Sequence, residues 1–190
     1  MKIITFSGDY SFKIWKLNNN NKYENIKEFK DSNYLSDGLE IKDNEIILYA
    51  LETNPESLVF YNLIKNEKIK TLNNLNLAIG FTCRIIKLND NEVVVAGYGK
   101  VYLIDINNYF ILHEINSDCC NDCILKLPNN LFLIGDKIGT ITQYKIENKK
   151  IIKESSKIKS HENAIFSMTL LNDMIISGGA FSNIIKIWKN

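Results

Sequence analysis

Two short stretches decide how this chain is read: Ser160-His161-Glu162-Asn163-Ala164-Ile165-Phe166-Ser167 and, some twenty residues on, Ile184-Ile185-Lys186-Ile187-Trp188-Lys189. A polar residue and a histidine open a first apolar strand. A second strand ends in Ser177-Gly178-Gly179, and a third alternates apolar and polar residues up to a tryptophan. Alternation with period two puts one set of side chains on each face, so three neighbouring strands make a small sheet with a face to bury. Such a sheet needs a neighbour.

The third strand serves as a ruler for the rest. Phe12-Lys13-Ile14-Trp15, Leu58-Val59-Phe60-Tyr61, Val101-Tyr102-Leu103-Ile104 and Ile141-Thr142-Gln143-Tyr144 match it, and their last residues, with Trp188, lie 46, 43, 40 and 44 positions apart. A period of about 40–45 residues belongs to four-stranded propeller blades. Five units follow, over about residues 1–30, 33–73, 77–116, 118–156 and 159–190. Upstream of each ruler strand lies an apolar run ending in small residues, as in Glu45 to Ala50 and Glu92 to Gly97. Inner strands at Asp37 to Ile41, Arg84 to Leu88, Cys123 to Leu127 and Ile165 to Leu171 each end in Asn or Asp, whose side chains bond their own backbone in turns. Outer strands at Tyr23 to Phe29, Glu67 to Leu72, Phe110 to Ile115 and Lys150 to Glu154 mix lysine and glutamate with isoleucine, as wet edge strands do. Apolar runs this short, rich in Ile, Val, Phe and Tyr, predict almost no helix.

The first unit starts at its second strand and the last stops at its third. Eighteen strands are therefore expected, in sets of three, four, four, four and three, which do not close neatly. The expectation is an open arc or a fragment of a larger propeller, or else ends that pair irregularly or with another chain. The exposed face of such an arc predicts aggregation of the isolated monomer.

The residues resemble the WD40 (G-beta) repeat family over nearly the whole chain. Ser160-His161 stands where the family has Gly-His, Ser177-Gly178 ends the second strand, and Trp188-Lys189 replaces Trp-Asp. The first unit matches at Thr5, Asp9 and Trp15; units two to four keep the apolar skeleton, with Tyr61, Ile104 and Tyr144 at the Trp position. The resemblance implies a buried network of Asp, His, Ser/Thr and Trp in each blade. It assigns His161, Ser177 and Trp188 to the last unit, with Ser182 in place of the acid, and Thr5, Asp9 and Trp15 to the first, with no histidine before Met1. Neither network is complete.

With 23 Lys and Arg against 22 Asp and Glu, the net charge of +1 supplies no field for nucleic acid or an acidic membrane. No run approaches a membrane span, and the N-terminal apolar stretch is too short for a signal peptide. Four cysteines, three of them at Cys119, Cys120 and Cys123, do not have the dispersed spacing of a disulfide framework, so an intracellular, cytoplasmic setting is the default. Structural zinc wants ligands from two knuckles, and the nearest other thiol, Cys83, aligns with Asp122; no metal and no cofactor is expected. His113 falls on an outer strand and His161 in the blade network, which leaves no histidine to activate a nucleophile. Gly135-Asp136-Lys137-Ile138-Gly139 reads as a hairpin turn, not a phosphate loop. The lysines at 145, 149, 150, 153, 157 and 159 are diluted by Glu147, Glu154 and Glu162 and read as a solvated outer strand.

Counted back from their terminal Asn/Asp pairs, the inner strands place Asp37, Arg84, Cys123 and Phe166 at one equivalent position, near the face where members of the resembled family bind peptides. Unlike residues at one position suit recognition, and Arg is a frequent hot-spot residue. Against this stands the plainer reading that Arg84 pairs with a neighbour such as Asp122 and that Phe166 packs. The chain is thus expected to be an all-β, non-catalytic scaffold for protein or peptide partners. The alternative is a structural segment completed by another chain, without a ligand of its own.

Overall fold

The computed structural model describes residues 2–7, 9–30, 34–51, 57–75, 83–155, 158–181 and 184–189, with residues 34–36, 51, 118 and 119 described by backbone alone. Every described element is a β-strand, and every described pairing is antiparallel. The chain divides into two compact units, Met1–Leu75 and Asn76–Asn190.

The first unit holds two sheets. β1 (Lys2–Phe6), β2 (Ser11–Leu17) and β3 (Tyr23–Lys30) form one, in that order. β4 (Tyr34–Lys42), β5 (Glu45–Leu51), β6 (Ser57–Asn62) and β7 (Glu67–Asn73) form the other. Alternation decides what is buried between them: Phe12, Ile14 and Phe29 leave one side of the first sheet and meet Ile46, Leu48, Ala50, Val59 and Leu63 from the second. Phe12 stacks on Phe29 with ring centroids 4.4 Å apart, and Tyr61 meets both rings edge-on at 5.9 and 5.6 Å. Aromatic pairs of this geometry add about 1 kcal/mol each to the 1.5–3 kcal/mol of burying a large apolar side chain.

The second unit is built from β8 (Arg84–Lys87), β9 (Glu92–Ala96), β10 (Tyr98–Asp105), β11 (Phe110–Lys126), β12 (Leu131–Asp136), β13 (Thr140–Glu147), β14 (Lys150–Lys153), β15 (Ile158–Lys159), β16 (Ile165–Leu171), β17 (Met174–Gly179) and β18 (Ile185–Lys189). β16, β17 and β18 make a separate three-stranded sheet; β8 to β14 make one continuous path, with β15 beside β13.

That continuity departs from expectation. The outer strand at Phe110 to Ile115 and the inner strand at Cys123 to Leu127 are one strand of 17 residues. Its first part pairs with β10, its last part with β12, and Tyr98 lies opposite Cys120. Ser117 and Asn121 look like turn formers, yet Asn121 is buried and its amide donates to the carbonyl of Gly97 at 2.6 Å, while Ser117 Oγ donates to Asn121 Oδ1 at 2.8 Å. Hydrogen bonds that a turn would have made locally are made to the neighbouring hairpin. Eighteen strands are described, but with this fusion and with β15 as a separate short strand.

The Asn-based turns take the conformation their residues favour. Asn44, Asn129, Asn130, Asn172 and Asp173 all have positive φ, a region that Asn and Asp enter more readily than other side chains. Two such residues in succession make the tight turn between β16 and β17.

Candidate functional site

The last sheet contains the polar network expected from its sequence. His161 Nε2 lies 2.8 Å from Ser177 Oγ, and Trp188 Nε1 donates to the same oxygen at 2.9 Å. One hydroxyl serves two ring nitrogens, and Ser177 is wholly buried. Burial, and secondarily the charge of Lys186, hold the His161 pKa below its ordinary value, so the neutral ring is favoured. A serine beside a histidine suggests a nucleophile, but this Oγ already accepts from indole and has no solvent-facing side. It joins strands. Ser182 lies outside the described residues.

In the first sheet Trp15 Nε1 donates to Thr5 Oγ1 at 2.9 Å, on an exposed surface. Asp9 does not join that pair. Its Oδ1 accepts from the hydroxyl of Ser11 at 2.6 Å and from the Ser11 amide at 3.1 Å, closing a turn. The Ser11 hydroxyl is the main cause holding the Asp9 carboxyl below its ordinary pKa.

A third polar cluster was not foreseen. Asp136, buried at the end of β12, accepts from the Thr140 amide at 2.8 Å, from the Thr140 hydroxyl, and from the Ile138 amide at 3.1 Å. The turn it closes is pinned from outside: the Gly139 carbonyl accepts from the amides of Ser160 and His161 at 2.9 Å each and from Ser160 Oγ at 3.0 Å. Asp136 and Gly139 had signalled only a hairpin; a Thr four residues beyond the Asp is the hint of a closed turn. The segment that positions His161 is thereby tied to the preceding sheet.

The four aligned candidates do not all occupy the equivalent rung of their sheets. Asp37 lies opposite Tyr49, Arg84 opposite Ala96 and Cys123 opposite Gly135, three equivalent rungs. In the last sheet that rung holds Ser167, opposite Gly178; Phe166 is the extra residue of a bulge between Ile165 and Ser167. Counting back from the Asn/Asp pair misplaced it by one, because the 171–174 turn has only two loop residues where those after β8 and within 126–132 are longer. The bulge turns Phe166 outward, and it is 56 % exposed.

Cys123 is corrected as a partner-binding residue. It is buried with Leu133, Ile141 and Ile165, and burial pushes its thiol up to about 12. Arg84 is half-buried: Nε donates to the main-chain carbonyl of Asp122 at 3.0 Å and Nη1 to that of Cys83 at 3.3 Å. It braces two strands. Asp37 Oδ1 accepts from the Gly38 amide at 2.9 Å. The Cys119 side chain and Lys157 lie outside the described residues. His113, placed on an outer strand, accepts from the Ile151 amide at 3.2 Å through Nδ1.

What the structure does expose is one face of the last sheet. Rungs Leu170–Ile175–Trp188 and Met168–Ser177–Lys186 turn towards β12 and β13, packing Met168, Ile175 and Trp188 against Leu133, Ile141 and Leu127. The alternate rungs, Thr169–Ile176–Ile187 and Ser167–Gly178–Ile185, face the other way, with Ile185 73 % and Ile187 63 % exposed. Their equivalents one sheet earlier, Leu125–Leu133–Gln143 and Cys123–Gly135–Ile141, supply the apolar side chains covered by the last sheet.

No family model matches this sequence, and no curated protein does. Solved structures match its shape. A chain of the mitotic checkpoint complex superposes with a TM-score of 0.81 at 9 % identity, covering 100 % of this chain and 59 % of that one. The WD40 β-propeller domain of Doa1 gives 0.77 at 17 % identity, covering 98 % and 60 %, and the computationally designed protein Ika4 gives 0.62 at 13 %, covering 84 % and 92 %. The fold is that of a WD40-type β-propeller. This chain spans about three-fifths of the length of the first two structures.

Proposed function

We propose that the chain is a non-catalytic WD40-type scaffold whose last sheet receives a protein or peptide partner. The observation that carries this is the number of large exposed apolar side chains in it and in the connection to its last strand: Phe166, Leu171, Phe181, Ile185 and Ile187. Exposed apolar side chains concentrated in one element are a feature of interaction sites in soluble proteins. The near-balanced charge supports a partner chosen by contact and not by field, and hence neither nucleic acid nor membrane. Cys83, Cys120 and Cys123 are not joined in disulfides, which supports a cytoplasmic setting. The Ser177–His161 pair, closed off from solvent, supports the absence of catalysis.

A second reading, a structural segment completed by another chain, is favoured by the match between the open rungs of the last sheet and the covered rungs of the sheet before it. Two measurements separate the readings. As a scaffold, the chain alone elutes as a soluble species, and Phe166→Ala or Ile187→Lys removes specific neighbours from a proximity-labelling profile while Tm is unchanged. As a structural segment, the chain alone aggregates and becomes soluble only on co-expression with its companion. A profile identical between wild type and both variants would sink the scaffold reading.

A further inference from the structure

The outer strand of the fourth repeat is cut short. β3 runs opposite the whole of β2, and β7 opposite the whole of β6. β14 has four residues and pairs only with Tyr144 to Glu147; the chain then leaves the sheet and returns as β15 beside Thr140 and Ile141. Between the two, the main chain of Gln143 is served by substitutes: its carbonyl accepts from the Glu154 amide at 3.0 Å, and its amide donates to Ser155 Oγ at 3.3 Å. A serine hydroxyl stands in for a strand carbonyl.

Ser155 and Ile158, at the two ends of this detour, line a cavity of about 160 Å³ whose other walls are Leu133 and Ile141 on one side and Ile175 and Trp188 on the other. The bond from Trp188 Nε1 to Ser177 Oγ fixes the indole, so that wall is in place before any ligand arrives. A dry apolar cavity of about 150 Å³ is large enough to take benzene. This one also has a polar pole: Gln143 lines it, and its side-chain amide makes no hydrogen bond among the described residues. A few polar groups in an apolar pocket are what fix a ligand's orientation. Ile175 and Trp188 lie on the face of the last sheet turned away from Ile185 and Ile187, so the cavity is separate from the partner surface proposed above.

We propose that this cavity binds a single phenolic ring, seated among Leu133, Ile141, Ile175 and Trp188, with its hydroxyl on the side-chain amide of Gln143. The volume admits one ring and no second, the indole favours an aromatic neighbour over an aliphatic one, and the hydroxyl supplies the partner the amide lacks. A free small molecule and the tyrosine side chain of a partner share that chemistry.

The probe is 4-fluorophenol, titrated into the 190-residue chain and followed by fluorine NMR. Saturable binding with a Kd of about 1 mM or tighter is expected. Ile158→Trp, at a side chain 54 % exposed, fills the cavity from its rim and weakens binding more than about tenfold. Gln143→Leu weakens 4-fluorophenol about fivefold and leaves 4-fluorotoluene, which lacks the hydroxyl, unchanged. Competition by N-acetyl-tyrosinamide at similar concentrations supports the site and assigns the ring to a partner's tyrosine; binding of 4-fluorophenol without that competition supports it and assigns the ring to a free molecule. No saturable binding, wild-type affinity in Ile158→Trp, or an equal loss of both fluorinated ligands in Gln143→Leu overturns the proposal. Any of these three results, with Phe166-dependent neighbours retained, would leave the scaffold reading standing.

Discussion

Replacing Gly139 by alanine tests how the last sheet is held to the one before it. Gly139 has φ +83°, and an added Cβ would lie 2.2 Å from the carbonyl oxygen of His161 and 2.5 Å from that of Asn163. Both obstacles are backbone, so no side-chain rotation relieves them. A left-handed conformation costs an L-residue about 1–2 kcal/mol. Displacing segment 160–163 loses the three hydrogen bonds accepted by the Gly139 carbonyl, at about 1 kcal/mol each. Together these predict a loss of about 4–5 kcal/mol, a large part of the 5–15 kcal/mol typical of a folded domain. The assay is urea unfolding followed by tryptophan fluorescence, Trp15 and Trp188 being the two reporters. Gly178→Ala is the control: an added Cβ there meets nothing within 4 Å, and removing glycine from a strand is neutral or stabilising by up to about 1 kcal/mol. A loss below about 1 kcal/mol for Gly139→Ala, or equal losses for both variants, would refute the clamp.

Ser177→Ala strands the Trp188 indole N–H and one His161 nitrogen; a cost of about 2–3 kcal/mol is expected, measured as a drop in the urea midpoint, while Thr5→Val at the exposed Trp15 pair costs under about 1 kcal/mol. The His161 pKa is lowered in the fold, so the unfolded chain binds the extra proton first: its contribution is complete above the ordinary value of 6.5 and is lost as pH falls through the folded value. His161→Gln should therefore flatten the stability difference between about pH 7.5 and 5.5, and an unchanged slope would contradict it. Cys123, with its thiol raised to about 12, should resist iodoacetamide at about pH 8 until urea is added, whereas half-buried Cys120 reacts first; tandem mass spectrometry of the digest separates the two.

Strand positions were legible because they rest on alternation, which burial enforces residue by residue: Phe12 and Ile14 inward, Lys13 between them. The His161–Ser177–Trp188 contact was legible because a strand end and its neighbour fix the distance between those side chains. The fused β11 was not. In a chain so rich in asparagine, nothing in the sequence distinguishes Asn121, which bonds Gly97 across a hairpin, from the asparagines that close turns. The error at Phe166 has a similar origin: turn length and bulge compensate each other locally, and a count along the chain cannot see which residue the bulge ejects.

The continuous strand β11 changes what counts as a separable piece of this molecule. A repeat is usually imagined as a cassette that duplication or deletion can move whole. Here a cut near residue 117 would fall inside one strand that pairs with β10 before it and with β12 after it, so the boundary between the third and fourth repeats lies within a single sheet.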